Sequence, residues 1–250
     1  MKIIKSESSL PERDHLKQYT SARISLRTSG ISLCTEELLS FKLAHAKAVD
    51  AVWSEWNQTK TKELFSKKNI QSLLIESEAT SRSHYVQNPQ SGSKLNEKSI
   101  HEIKKNVKEN SISILLADGL SPKAIEEQGQ ALTLEIINEI RNYFPTIAIN
   151  PIFLCKNGRV AIGDHIGELS KSKLVIVIIG ERPGLTAPQS IGIYSTLHPT
   201  LASTNAQRNC ISNIHAGGLS ILQAAAECRA LAEKMFQYNT SGYLLSEENK

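Results

Sequence analysis

An unbroken apolar run, Leu174-Val-Ile-Val-Ile-Ile179, passes directly into Gly180-Glu-Arg-Pro-Gly184. Val175 to Ile179 are all β-branched and do not alternate with polar residues. The segment is therefore predicted as a strand buried on both faces, the state of a central strand in a parallel sheet with helices on either side. It is too short to cross a bilayer. Gly180 and Gly184 let the backbone approach a neighbour closely, and Glu181 and Arg182 fall at the strand's carboxyl end, where open α/β sheets hold ligands. A carboxylate beside a buried strand must be paired or must serve a ligand, because an isolated buried charge is costly. An ion pair with Arg182 and a ligand contact are the two readings of Glu181.

The rest of the second half repeats the theme. Strand is expected at Ile112 to Ala117, Ile147 to Leu154, Leu174 to Ile179 and Ile191 to Leu197. Helix is expected at Ser121 to Tyr143, near Asp164 to Ser170, and at Leu219 to Phe236. Alternation of this kind indicates crossover units, and so a Rossmann-like, doubly wound parallel sheet over residues 111–250. Residues 1–110 read as a helical N-terminal extension that faces a partner. Within it, Thr35 to about Trp56 forms one helix, with Thr35 as N-cap and Glu36 and Glu37 in its first turn. Leu39, Leu43, Ala46 and Trp53 make one apolar stripe and Leu38, Phe41, Val49, Val52 and Trp56 another, so this helix is expected to pack on two sides, against its own domain or another chain. Residues 57–110 are polar and weakly patterned, with a loop at Asn88 to Ser93 and helix from Glu97 to Lys108.

Composition excludes several classes. With 250 residues the chain can bury a sizeable core, and its formal charge of +4 is mild. The lysines between Lys60 and Lys108 alternate with glutamates and have only Phe65 and Tyr85 among them, which suits a solvated face rather than nucleic acid. Cys34, Cys155, Cys210 and Cys228 lie far apart with no C-x-x-C pair, as expected of free thiols in a reducing compartment. The start Met1 to Ser6 has too brief an apolar run for a signal-peptide core, and no run reaches bilayer length. A cytoplasmic protein is expected.

Phosphate-anchored nucleotide binding is disfavoured, since neither G-x-G-x-x-G after a first strand nor G-x-x-x-x-G-K-[ST] is present. Cys210, near Ser212 and His215, is a candidate nucleophile, although a thiol of this kind more often lines a pocket. Asp164, His165 and Glu168, with His198 elsewhere, do not have the spacing of a metal site, and Asp164 is better explained as a helix start. His45, on a stripe with Phe41, Val49 and Val52, reads as a core or interface histidine.

Several segments, taken in order, carry a resemblance: Thr20 to Ile24, Lys42 to Val52, Ala117-Asp-Gly-Leu-Ser121, Gly158-Arg-Val-Ala-Ile-Gly-Asp-His-Ile-Gly-Glu168, Ile179-Gly-Glu-Arg-Pro-Gly-Leu185, Ser190-Ile-Gly-Ile-Tyr194 and Arg208-Asn-Cys-Ile-Ser-Asn-Ile214. Together the chain resembles the small (light) subunit of ethanolamine ammonia-lyase, with residues 57–110 matching only in patches. The resemblance implies an adenosylcobalamin-dependent lyase that is active only with a large barrel subunit. The cofactor is then clamped between the two chains in a hetero-oligomer of paired heterodimers, inside a bacterial microcompartment. It implies cobalamin contacts at Val160, Glu181 and Cys210, and no catalytic or metal-ligating residue in this chain.

On this reading the corrin's amide rim needs acceptors such as Glu181 and backbone carbonyls near Val160, with Cys210 as a packing or weak polar contact. Asp164-His165-Ile166-Gly167 fails the D-x-H-x-x-G spacing of a histidine that replaces the cofactor's lower base, so dimethylbenzimidazole is expected to stay on cobalt. The implied reaction runs from cobalt–carbon homolysis through hydrogen abstraction from ethanolamine to acetaldehyde and ammonia. A free-standing hydrolase or transferase using Cys210, and a non-catalytic ligand-binding module, are the alternatives.

Overall fold

The computed structural model describes residues 15–20 and 22–247. Residues 1–14, 21 and 248–250, which include the Met1 to Ser6 start and Ser21 of the Thr20 to Ile24 motif, lie outside it. After a two-residue hairpin at 28–33, the elements are helices α1 (Thr35–Trp53) and α2 (Gln58–Lys67), strand β1 (Ser72–Glu76), helices α3 (Arg82–Gln87) and α4 (Glu97–Asn106), and strand β2 (Ile112–Ala117). A helical stretch follows from Pro122 through a π turn (Ile125–Gly129) into α5 (Gln130–Tyr143). Then come β3 (Ile152–Lys156), α6 (Ile162–Ser170), β4 (Leu174–Gly180), β5 (Ile191–Leu197), β6 (Asn209–Ile214), α7 (Ile221–Tyr238) and α8 (Tyr243–Glu247). No described helix is long and apolar enough to cross a membrane.

One six-stranded sheet orders these strands β1-β3-β2-β4-β5-β6. The first four are parallel, with Leu116 opposite both Leu154 and Ile178. Every residue of β2 and β4 is buried, as the unbroken apolar run of β4 demanded, and Ser113 of β2 is buried with the rest. Successive residues point to opposite faces. Ile112, Ile114, Leu116, Ile176 and Ile178 enter a core with Leu132, Ile136 and Ile140 of α5 and Ala224 and Cys228 of α7. Leu115, Ala117, Val175, Val177 and Ile179 enter a second core with Ile103 of α4 and Ile162 and Ile166 of α6. Helices therefore cover both faces, and each large side chain removed from water contributes about 1.5–3 kcal/mol.

The expectation of a wholly parallel sheet is corrected. β5 runs antiparallel to β4, and β6 antiparallel to β5. Only residues 181–190 join β4 to β5, too few for the crossover of a dozen or more residues that a parallel return requires. Other expected bounds also move. The third strand is Ile152–Lys156 rather than Ile147–Leu154, and Ile149 makes only an isolated bridge to Ile112. α1 ends at Trp53, with Cys34 rather than Thr35 at its N-cap position and no side-chain cap. Trp56, past its end, is buried and donates its indole N–H to Thr61 Oγ1 at 2.9 Å.

Two strands were not foreseen. β1 comes from the polar segment before residue 111 and pairs with β3, while β6 carries Asn209-Cys-Ile-Ser-Asn-Ile214 at the far edge. Within α1 only Ala51 is buried. Leu38, Leu39, Phe41, Leu43, Val49 and Trp53 are exposed, so most of both predicted stripes is left open to solvent in the single chain. His45 is exposed as well and lies 6.2 Å from Phe41 between ring centroids, so it is not a core histidine of this chain.

Candidate functional site

The chain passes from β2 through α5 to β3 on one side of β2, then through α6 to β4 on the other. That reversal opens a crevice at the carboxyl ends of β2 and β4, the place where open α/β sheets take ligands. Gly119, at φ +52°, and Gly180 close its floor. A Cβ on Gly180 would stand 2.4 Å from the carbonyl oxygen of Ser121, and Leu120 N–H donates to Gly180 O at 2.9 Å. Ser121 then caps the next helix, accepting from Ala124 N–H, while its own hydroxyl donates to Pro188 O at 2.9 Å.

Over this floor lies a cavity of about 400 Å3 lined by Tyr85, Leu120, Arg159, Val160, Ile179, Glu181, Arg182 and Tyr194 among others. A larger hollow of about 530 Å3 opens at the opposite, amino end of the strands, near Lys62, Gln71 and Pro151, and holds no convergent titratable groups.

One wall is built around Tyr85, from α3. Its hydroxyl donates to Gly158 O at 3.0 Å, and the guanidinium carbons of Arg82 and Arg159 lie 4.9 and 4.4 Å from its ring centroid. Arg82 reaches Val52 O, Gly119 O, Asp118 and Asn157, and so ties α1, α3 and the ends of β2 and β3 together. Burial pushes the Asp118 carboxyl up to about 6 despite the pull of Arg82.

The opposite wall holds Glu181, which is half-buried. Its carboxylate accepts from Ser190 Oγ at 2.6 Å and from Asn213 N–H at 3.4 Å, so serine and backbone, not Arg182, are its partners. Tyr194 and Cys210 are register partners across β5 and β6, which sets their side chains side by side on one face of the sheet. Burial raises the Cys210 thiol above its ordinary range, with Tyr194 offsetting part of the rise and Glu181 adding to it. Burial likewise pushes the Tyr194 phenol up to about 12, with Cys210 adding to it.

Of the expected site residues, Val160 and Glu181 line the cavity directly, and Cys210 meets it through Tyr194. Only Cys210 depends on β6, the unforeseen strand, to join the other two. Asp164 sits in the first turn of α6 and forms a buried ion pair with Arg208 at the start of β6. His165 Nδ1 accepts from Leu95 N–H at 3.3 Å, and Glu168 accepts from Leu201 N–H, so the three residues of that string face separate partners. His215 is engaged by Asn213 and by Gly217 N–H. Reasoning from sequence gave no role to Arg82 and Tyr85, which nothing in the periodicity marks, or to Asp118, although it lies in the quoted Ala117 to Ser121 motif. It also missed Arg159 and Tyr194 as lining residues, although both lie inside the quoted motifs.

Comparison with known proteins bears on this geometry. The profile of the ethanolamine ammonia-lyase light chain family (EutC) matches residues 11–246. The ethanolamine ammonia-lyase small subunit of Pseudomonas putida (strain W619) is 37% identical over 237 residues, covering 93% of this chain and 86% of that protein. That of Xanthomonas campestris pv. campestris (strain ATCC 33913) is 36% identical over 250 residues, covering 97% and 91%. That of Pseudomonas aeruginosa (strain LESB58) is 36% identical over 239 residues, covering 93% and 86%. A profile match across nearly the whole chain, with relatives of this identity and coverage, places it: the chain belongs to the ethanolamine ammonia-lyase light chain family.

Proposed function

We propose that this chain is the small subunit of an adenosylcobalamin-dependent ethanolamine ammonia-lyase and that its crevice forms one wall of the cofactor site, the large subunit forming the other. The observation that carries the reading is the meeting of Val160 and Glu181, past the carboxyl ends of the parallel strands β3 and β4, with Tyr194 of antiparallel β5, which has Cys210 as its register partner. The residues fit a corrinoid. Its rim of neutral amides calls for acceptors, supplied by the Glu181 carboxylate, and for apolar atoms, supplied by Val160, Leu120 and Ile179. The cavity, at about 400 Å3, is near the lower end of ligand pockets and too small to enclose so large a group, which is consistent with a second chain completing it.

Bound adenosylcobalamin supplies radical chemistry, by which ethanolamine becomes acetaldehyde and ammonia. The chain's own residues hold and orient. Ser190 and Asn213 keep the Glu181 carboxylate facing the crevice, the glycine floor keeps it shallow, and the apolar lining excludes water. No residue here need touch substrate. We read the four parallel strands with helices on both faces as a Rossmann-like, doubly wound core, residues 111–250 as the main cofactor-binding part to which β1 and Tyr85 are added from the preceding segment, and the exposed face of α1 as the flank toward the large subunit. Assembly into paired heterodimers within a cytoplasmic microcompartment completes the reading.

The rival, a hydrolase or transferase using Cys210, is disfavoured by a thiol whose pKa is raised rather than lowered and by a His215 already engaged elsewhere. Co-expression with the large subunit decides. The complex should bind cobalamin and deaminate ethanolamine, with Glu181→Gln weakening the cofactor titration about tenfold while the substrate KM changes less than twofold. Identical cofactor titrations for variant and wild type would remove Glu181 from the site, and full activity of the isolated chain would remove the two-chain reading.

A further inference from the structure

Arg159 and Arg182 both line the crevice without an ion pair among the described residues, but Arg182 is exposed, whereas Arg159 is half-buried and held in place. Its backbone N–H donates to Gly92 O at 2.7 Å, and its stem lies so close to Gly92 that a Cβ there would stand 2.9 Å from its Cγ. Its guanidinium carbon lies over the Tyr85 ring, 4.4 Å from the centroid, and the buried Nε has no hydrogen-bond partner. Among the described residues it forms no ion pair, whereas Arg82, on the same ring, is committed to Asp118 and three oxygens of the backbone and Asn157. A planar donor fork, pre-oriented by stacking and left unpaired in a pocket, is the arrangement that receives an oxyanion.

Position adds a second constraint. Arg159 follows β3 and Glu181 follows β4, with β2 between them in the sheet. Two strand spacings separate the loops by roughly 10 Å. An acceptor on one wall and a fork of donors on the other suit an extended ligand with neutral amides at one end and a phosphate at the other.

We infer that Arg159 binds a phosphodiester, the one anionic group of a cobalamin, and so selects a corrinoid that carries its nucleotide loop over one that lacks it. This rests on the crevice reading above. The test uses the assembled complex of this chain with the large subunit, stripped of cofactor, titrated by absorbance with cyanocobalamin and with dicyanocobinamide, which has no nucleotide loop or phosphate. Arg159→Met should weaken cyanocobalamin binding tenfold or more and leave dicyanocobinamide within twofold. Equal weakening of both probes would mean that Arg159 only packs on Tyr85, and would overturn the inference. Tightening of dicyanocobinamide by added inorganic phosphate, lost in Arg159→Met, would overturn it in favour of a free-phosphate site. If Arg159→Met does not assemble, Arg159→Lys decides: a loss confined to cyanocobalamin and steeper in salt than in wild type supports the inference, and unchanged selectivity between the probes overturns it. Glu181→Gln separates the two levels of argument. It should weaken both probes, and if it changes neither, the crevice reading fails whatever Arg159 does.

Discussion

A β-carbon on Gly119 would stand 2.2 Å from the carbonyl oxygen of Gly180. Two loops from different strands thus meet backbone to backbone at the floor of the crevice, and neither residue can acquire a side chain without parting β2 from β4.

This contact separates the glycines of the Gly180-Glu-Arg-Pro-Gly184 segment by role. Gly119→Ala combines a positive φ with a backbone clash and should lower unfolding free energy by more than about 3 kcal/mol, and Gly180→Ala should act similarly. Gly184 meets nothing nearer than 3.7 Å, so Gly184→Ala should stay within about 0.5 kcal/mol. Urea unfolding of the three variants checks the order, and equal losses at 180 and 184 would refute it.

Asp118 gives a pH signature. Its carboxyl is raised from 3.8 to about 6 in the fold, chiefly by burial, so the native state binds that proton more tightly than the unfolded chain. Its contribution to stability is fully present below about pH 4 and is lost as pH rises toward 6, by about 3 kcal/mol at roughly 1.4 kcal/mol per pH unit. The difference between the stability curves of wild type and Asp118→Asn should therefore change across pH 4–6 and be flat above 7. A flat difference throughout would show that Asp118 titrates normally.

The Asp164–Arg208 pair fastens α6 to the start of β6 with both side chains buried. Arg208→Met leaves a buried carboxylate alone and should cost about 3–5 kcal/mol, whereas Arg208→Met with Asp164→Leu should recover most of that. Since burial already raises Asp164, the deficit of Arg208→Met should shrink as pH falls and the lone acid takes up a proton. Thermal unfolding of the single and double variants at two pH values measures both effects.

Cys210 should be dispensable to turnover. Its pKa is raised, so little thiolate exists at neutral pH, and Cys210→Ala in the assembled complex should keep more than half of kcat while modestly weakening cofactor binding. Steady-state kinetics with saturating cofactor settle this, and complete loss of turnover would restore the thiol to the chemistry.

The central strands were legible because short, mostly apolar runs flanked by turn residues have one comfortable setting, a sheet covered on both sides, and Ile112–Ala117 and the β-branched run ending at Gly180 fell where expected. The edges were not. β6 interrupts its apolar residues with Asn209, Ser212 and Asn213 and is largely exposed, and β1 is five residues within a polar segment, so neither shows a periodic signal. Glu181 could be placed from its strand end, and Val160 only through the resemblance. The stack of Arg82, Tyr85 and Arg159 could not, since it joins residues more than seventy positions apart through a fold that local pattern does not specify. The reversal at β5 was readable in principle from the brevity of 181–190, which leaves no room for a helix.

β1 bears on how such a chain can be altered. Because Ser72–Glu76 seals the flank of Ile152–Lys156, and Tyr85 just after it is clamped onto the cavity wall, the first hundred residues are not a detachable module. Severing the polypeptide near residue 110 would bare a row of amide groups and open the pocket from the side. Trimming, grafting or shuffling of the front half therefore has to stop short of residue 72 to leave the sheet intact.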